Sequence, residues 1–399
     1  MIKTAMKRSF SCVVILYFVF LFLFGLGDFL FPDFVGKAEN STLSDKLCFS
    51  LEKIEARQTS ADSRTASVEP MRLVAFGFLP IKTVDVRTYQ PQEVTVGGEL
   101  FGTRLSLGGL FVEKILNVET ADGVRSPAKE AGICAGDLIV KADGVAVSDT
   151  ASLVKILAKT TGEVHLSLMR GGKEKSAVLH CVRDKTDGAL KAGLYLRDGA
   201  AGIGTVTFQD PVSGKFAGLG HAICDASSAV PFPLQEGRLY DVSLEKVVRS
   251  EAKLPGEIRG KLERTETGTL EKNTACGVIG SFDHMTPDQS RTVLPLAPKE
   301  EVKTGKASVL CTLDNSGKKE YEIEIEEIID KDRNTKNFII HVTDPALIEK
   351  SGGIVQGMSG SPILQNGKLV GAVTHVLMGD ATRGYGIYAE TMFHEMNQP

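Results

Sequence analysis

Ser359 stands in the segment Gln356-Gly357-Met358-Ser359-Gly360-Ser361-Pro362. Glycines close to it on both sides permit backbone angles that a side chain forbids, so the loop can be tight and the hydroxyl exposed. The N–H groups of Gly357 and Ser359 can then converge on one point, the arrangement that stabilises a developing oxyanion. A serine used in this way performs nucleophilic acyl transfer, and it needs a base and an acid to orient that base. The candidate base is His221, in Gly218-Leu219-Gly220-His221-Ala222, because a strand ending in Gly-His sets an imidazole at a rim from which it reaches a facing loop. His375 is the runner-up. The candidate acid is Asp344, at the end of the apolar strand Ile340-His341-Val342-Thr343. Each residue also has a plainer reading: Ser359 as a β-turn serine with Ser361 as its rival, His221 as a structural histidine, and Asp344 before Pro345 as the N-cap of a helix.

The loop resembles the nucleophile region of chymotrypsin-like serine peptidases, G-x-S-G-x-P followed by a hairpin, with Asn366-Gly367 as the hairpin turn. Met358 replaces the usual acidic residue, and Ser361 the second glycine. Neither change removes the nucleophile, but Met358 removes an acid that some such enzymes pair with a new N-terminus. The other histidines fit a base less well. His165 and His180 lie in strands of another module, His284 and His394 in polar surroundings, and His341 alternates with apolar residues. No H-E-x-x-H and no G-x-x-x-x-G-K-[ST] occurs, so no metal or nucleotide cofactor is expected.

The elements that must position these residues are mostly short strands. From about 186 onward, strand patterns are separated by Gly, Pro and Asn, with alternation as in Tyr321-Glu322-Ile323-Glu324-Ile325. Helical patterns are confined to short pieces such as Glu390 to Met396. This predicts a β-barrel or a pair of barrels rather than a doubly wound sheet. Upstream, the pattern A-x-x-A-G-I-x-x-G-D-x-I-x-x-x-D-G between Ala128 and Gly144 resembles a PDZ domain of the kind attached to bacterial proteases. That resemblance implies a peptide ligand added as a strand beside Gly109 to Val112, with the N–H groups of Gly109, Leu110 and Phe111 free to take a terminal carboxylate. The alternative is a PDZ module used only as a rigid packing partner.

The 399 residues are 42% hydrophobic and 24% charged, with a net charge of −4. Disorder and coiled coil are excluded as the dominant state, and no basic run offers a footprint for nucleic acid. After Lys3, Lys7 and Arg8, Phe10 to Gly27 is uncharged and near the lower limit for spanning a ~30 Å hydrocarbon core. It predicts an N-terminal membrane anchor with the later residues outside the cytoplasm, a cleaved signal peptide being the alternative. Residues 36 to 70 read as a linker, partly helical around Thr42 to Arg57. Seven scattered cysteines, with no C-x-x-C, fit small buried side chains better than a disulfide framework.

Taken together, Gly220-His221, Thr343-Asp344-Pro345 and Gly357 to Pro362 behind a PDZ module resemble the SpoIVB family of sporulation signalling serine peptidases. Phe76 to Lys82, Gly202-Ile203-Gly204-Thr205, Leu254 to Gly260 and Gly371 to Val376 also match its pattern. The resemblance implies a mainly β chain: an anchor over 1–35, a linker with strands over 36–95, a PDZ domain over 96–185 and a chymotrypsin-like double β-barrel peptidase domain over 186–399. It implies His221 as base, Asp344 as acid and Ser359 as nucleophile, with no cofactor. It further implies export to the space between forespore and mother-cell membranes. There the protein substrate is the regulator of an intramembrane metalloprotease, and the enzyme also cleaves itself. A catalytically inactive PDZ scaffold is the competing function.

Overall fold

Tyr321, Ile323 and Ile325 are buried while Glu320, Glu322 and Glu324 face solvent, the two-residue period of a strand with one wet face. Strands of this kind dominate the computed structural model, which describes residues 17–26, 34–38, 49–53, 68–89, 92–225, 228–251, 254–283, 292–330 and 335–398. The chain divides into two units, Met1–Gln92 with Pro295–Lys303, and Glu93–Leu294 with Thr304–Pro399.

In the first unit, helix α1 (17–26) is followed by β1 (Phe34–Ala38), β2 (Phe49–Lys53), β3 (Val68–Ala75) and β4 (Leu79–Tyr89), in sheet order β1-β4-β3-β2. Leu23 of α1 is buried with Phe49, Leu73, Ala75, Ile81 and Val84. The remainder of the apolar run Phe10 to Gly27 lies outside the described residues, and among those described no helix is long and apolar enough to cross a membrane. The helix expected around Thr42 to Arg57 is corrected at 49–53: Phe49, Leu51 and Lys53 pair in register with Ala75, Leu73 and Met71.

The second unit opens with β5 (Glu93–Val96) and the long β6 (Leu100–Ile115), then β7 (Val118–Thr120) and β8 (Gly123–Arg125). Helix α2 (Pro127–Glu130), β9 (Leu138–Ala142), β10 (Val145–Ala146), α3 (Thr150–Leu157), β11 (Glu163–Arg170) and β12 (Lys173–His180) follow, with Asp143 and Gly144 at φ 48° and 78° in the expected turn. After the short β13 (Val182–Arg183) and β14 (Leu190–Lys191) comes a second long strand, β15 (Leu194–Gln209). Leu110, Val112, Ile139, Leu153, Val164, Leu166 and Leu179 fill the core of this PDZ part.

The next strands are β16 (Lys215–Gly218), β17 (Glu236–Val248), β18 (Glu257–Thr274) and β19 (Gly277–Phe282). Their pairings run β6–β17–β18–β19–β16–β15 and return to β6, a ring of six strands. After the short β20 (Val293–Pro295), a second six-stranded closed barrel is built from β21 (Gly305–Thr312), β22 (Lys318–Ile328), β23 (Phe338–Val342), β24 (Pro362–Gln365), β25 (Lys368–Leu377) and β26 (Asp380–Tyr388). Helix α4 (Pro345–Ser351) lies between β23 and β24, and α5 (Ala389–Asn397) closes the chain. The PDZ part thus sits between the first two long strands of the first barrel. Residues 100–106 of β6 pair with β15 on one side and β17 on the other, upstream of the PDZ elements in the chain.

Candidate active site

The nucleophile loop runs from α4 to β24 and lies against the first barrel. Gly357 and Gly360 have φ of 98° and 93°, where only glycine is unstrained. Space demands glycine as well: a Cβ at Gly360 would stand 2.1 Å from Thr205 O, and one at Gly357 would stand 2.9 Å from Ile258 Cβ. Thr205 N and Thr205 Oγ1 donate to Ser359 O and Gly357 O at 3.0 and 2.8 Å, and Thr207 Oγ1 donates to Gly360 O at 2.7 Å. From β18, Ile258 N donates to Gln356 O at 2.8 Å. The N–H groups of Gly357 and Ser359 have no partner among the described residues, so both remain available to an incoming oxyanion. Ser359 is half-buried and its Oγ donates to Thr374 O at 2.7 Å. Ser361, the rival, is fully buried beneath the loop.

His221 follows β16 through a turn in which Leu219 and Gly220 both have positive φ. A Cβ at Gly220 would lie 2.9 Å from Thr374 Cγ2, so the turn abuts the stretch of β25 that holds the Ser359 hydroxyl. His221 Nδ1 lies 2.8 Å from Ala222 O. A carbonyl only accepts, which assigns the proton to Nδ1 and leaves Nε2 with the lone pair a general base needs. Burial lowers the His221 pKa and Lys336 lowers it further, against the opposing Ala222 hydrogen bond. The His375 ring lies 4.7 Å from that of His221, centroid to centroid. Desolvation, then the charges of His221 and Lys336, push His375 down to about 4.

Two pH effects follow. The acidic limb of kcat/KM is expected to have its midpoint below the ordinary histidine value of about 6.5, and a midpoint at or above that value would contradict a half-buried base whose pKa is lowered. Stability has the same sign: with both folded-state pKa values below the unfolded ones, protonation favours the unfolded chain. Tm of the Ser359→Ala protein is therefore expected to fall as pH drops from about 6.5 towards about 4.

Asp344 is the N-cap of α4. Its Oδ1 accepts from Ala346 N and Leu347 N at 2.8 and 3.2 Å, and its Oδ2 accepts from Glu322 N at 3.2 Å. The structure therefore joins Ser359 and His221 along β25, whereas the Asp344 carboxylate is engaged by three backbone N–H groups and the His221 Nδ1 by a backbone carbonyl. Sequence reading did not find the Ala222 carbonyl, Thr205 or Thr207. The signal within reach was Thr205-Val206-Thr207, two hydroxyls on one face of a strand.

In the PDZ part, Phe111 pairs with Leu138 of β9 on one side and Arg197 of β15 on the other, and Leu110 is fully buried. The segment Gly109 to Val112 is thus interior to the sheet and offers no edge to a peptide at Phe111. The open edge belongs to the start of β15. Leu116 N donates to Gly193 O at 2.8 Å, which turns Gly193 and Tyr195 towards β6 and the N–H and C=O of Leu194 outward. Leu194 and Leu196 pack against the same apolar cluster as Leu153, Ile156 and Leu157 of α3, so that helix lies against the start of β15. Of the five described cysteines, Cys276 and Cys311 are buried as expected, while Cys134 and Cys224 are exposed.

A serine on a glycine-bounded loop, a histidine packed near the same strand β25 and two six-stranded barrels are the parts a serine peptidase needs. A SpoIVB peptidase S55 family model matches residues 188–393, half of the chain, and a PDZ domain model matches 122–170. The chain belongs to the SpoIVB S55 family of serine endopeptidases. No curated protein matches it. Among solved structures it is similar to the Rv3671c protease in its inactive form, at 16% identity over 49% of this chain and 85% of that one with a TM-score of 0.29. The active form of Rv3671c protease from M. tuberculosis matches at 16% identity over 50% and 76%, with a TM-score of 0.28. The HtrA-type protease AlgW with tripeptide matches at 12% identity over 49% and 55%, with a TM-score of 0.29.

Proposed function

We propose that this chain is the signalling peptidase of a sporulation pathway. It is exported, held at the membrane by its N-terminal apolar segment, and active in the space between forespore and mother-cell membranes. Its protein substrate is the regulator of an intramembrane metalloprotease, and it also cleaves itself, in the segment before Met71. Ser359 is the acylated nucleophile, His221 takes its proton through Nε2, and the N–H groups of Gly357 and Ser359 receive the oxyanion. Before attack, the Ser359 hydroxyl must turn from Thr374 O to the imidazole. A peptide adds to the open edge of β15 beside α3. The observation that carries this reading is the pair of unbonded N–H groups beside a half-buried serine and a histidine with a free Nε2.

The test is covalent labelling of the purified full chain with a fluorophosphonate, together with mass spectrometry of its self-cleavage fragments. Wild type is expected to label at Ser359 and to fragment, while Ser359→Ala and His221→Ala do neither. Labelling or fragmentation that survives Ser359→Ala would overturn the assignment. Asp344→Asn separates the two roles weighed for that residue, because the asparagine oxygen keeps the cap on Ala346 N and Leu347 N while its amide nitrogen cannot accept from Glu322 N. With the carboxylate engaged by backbone N–H groups, this variant is expected to lose about 1 kcal/mol of stability for the unmet Glu322 N–H and to label within about tenfold of wild type, whereas loss of a triad acid costs about 10⁴.

A further inference from the structure

The two N–H groups offered to the oxyanion lie on a loop whose glycines could turn freely, so something outside the loop must fix its peptide planes. Within the loop, only Ser361 N to Met358 O and Met358 N to Val355 O serve that purpose. The carbonyls of Gly357, Ser359 and Gly360 are all held from the first barrel, and all three by two residues of β15. Thr205 and Thr207 are fully buried, while Val206 between them belongs to the first barrel's apolar core. Two hydroxyls on a buried strand face cost stability unless they are bonded. Here each finds one acceptor, and both acceptors belong to the nucleophile loop. Threonine suits the task because its β-branch restricts χ1, so the hydroxyl is aimed before the loop arrives.

We propose that Thr205 and Thr207 are positioning residues for acyl transfer. The peptide planes that carry the Gly357 and Ser359 N–H groups are held at their own carbonyls by Ile258 N and Ser361 N; by holding the carbonyls of Gly357 and Gly360, Thr205 and Thr207 fix the adjoining planes, so that the two donors stay aimed at the point where the oxyanion forms. This rests on Ser359 being the nucleophile. The second barrel supplies the serine and the donors, and the first barrel supplies, besides the base, the clamp that keeps those donors in place. Preorganised donors lose much of their effect when displaced by a fraction of an ångström, so a missing clamp acts on the chemical step more than on binding.

The experiment compares the rate of phosphonylation at saturation with the half-saturating concentration of a fluorophosphonate probe, using the full chain. Thr205→Val is expected to lower the saturating rate at least about tenfold with half-saturation changed less than about threefold, and Thr207→Val to lower it by about threefold to fivefold. Thr205→Ser, which restores the donor, is expected to return the rate to within about threefold of wild type. A wild-type saturating rate in folded Thr205→Val, a Thr205→Ser protein as slow as Thr205→Val, or losses that only follow the folded fraction by circular dichroism would each overturn the proposal. Should Thr205→Val not fold, Thr205→Cys keeps the shape with a weaker donor and is read in the same way. Failure of the underlying reading looks different, since Ser359→Ala would then still label.

Discussion

Gly360→Ala is expected to slow fluorophosphonate labelling by at least about 100-fold and to destabilise the chain by about 3 kcal/mol. Two independent causes act at this position. The φ of 93° is strained for any residue with a Cβ. The new methyl would also stand 2.1 Å from Thr205 O and 2.4 Å from Leu219 N. Both neighbours are backbone, so neither can swing aside. Thr205 holds the nucleophile loop, and Leu219 begins the turn that delivers His221. The methyl therefore pushes serine and base apart rather than merely loosening the fold. Gly367→Ala is the control, because it too has a positive φ, of 73°, but nothing lies within 4 Å of its Cβ. It is expected to cost about 1 kcal/mol and leave labelling unchanged. Equal labelling by the two variants, measured beside their melting curves, would contradict the argument.

What the sequence disclosed of this site was local. Gly357-Met358-Ser359-Gly360 displays its own backbone requirement, and Asn366-Gly367 forms its turn with φ of 52° and 73°, as a two-residue hairpin signal should. Asp344-Pro345 presented two readings, and the choice between them depends on which N–H groups surround the carboxylate. One of those, Glu322 N, belongs to a strand 22 residues away. Strand pairing was out of reach for a deeper reason. Residues 100–106 and 199–205 pair across nearly a hundred positions with the PDZ part between them, and periodicity reports a strand without naming its neighbour. The PDZ domain read over 96–185 therefore takes in residues 100–106, whose partners in β15 and β17 no local pattern reveals. For the same reason the peptide edge was read on Gly109 to Val112, although β15 covers the Phe111–Val112 stretch of it.

That arrangement gives the PDZ part a leverage on the peptidase that a tethered module lacks, since β15 begins beside α3 and runs on to Thr205 and Thr207, which bond the Ser359 loop. Arg170→Ala puts a number on it. Asp137, the aspartate of the Gly-Asp in the PDZ pattern, is completely buried. Its two oxygens take Arg170 Nε and Nη2 at 2.5 and 2.6 Å, and Oδ2 also accepts from Cys134 N at 2.9 Å. Arg170 Nη2 reaches Gly132 O at 2.8 Å, so the pair staples the end of β11 to the loop between α2 and β9. The carboxylate raises the Arg170 pKa, as a direct ion pair must. Removing the arginine leaves a buried charge with one backbone donor, a loss of about 3–5 kcal/mol. Removing the aspartate costs less, because the Arg170 side chain is 32% exposed and can turn to water. Urea denaturation is therefore expected to rank Arg170→Ala below Asp137→Asn, and both below wild type. Because β6 and β15 are common to the PDZ core and the first barrel, labelling of Ser359 in Arg170→Ala is expected to fall together with the PDZ transition, at the same urea concentration. Labelling that outlasts that transition would mean that the barrel keeps Thr205 and Thr207 in place without the PDZ fold above them.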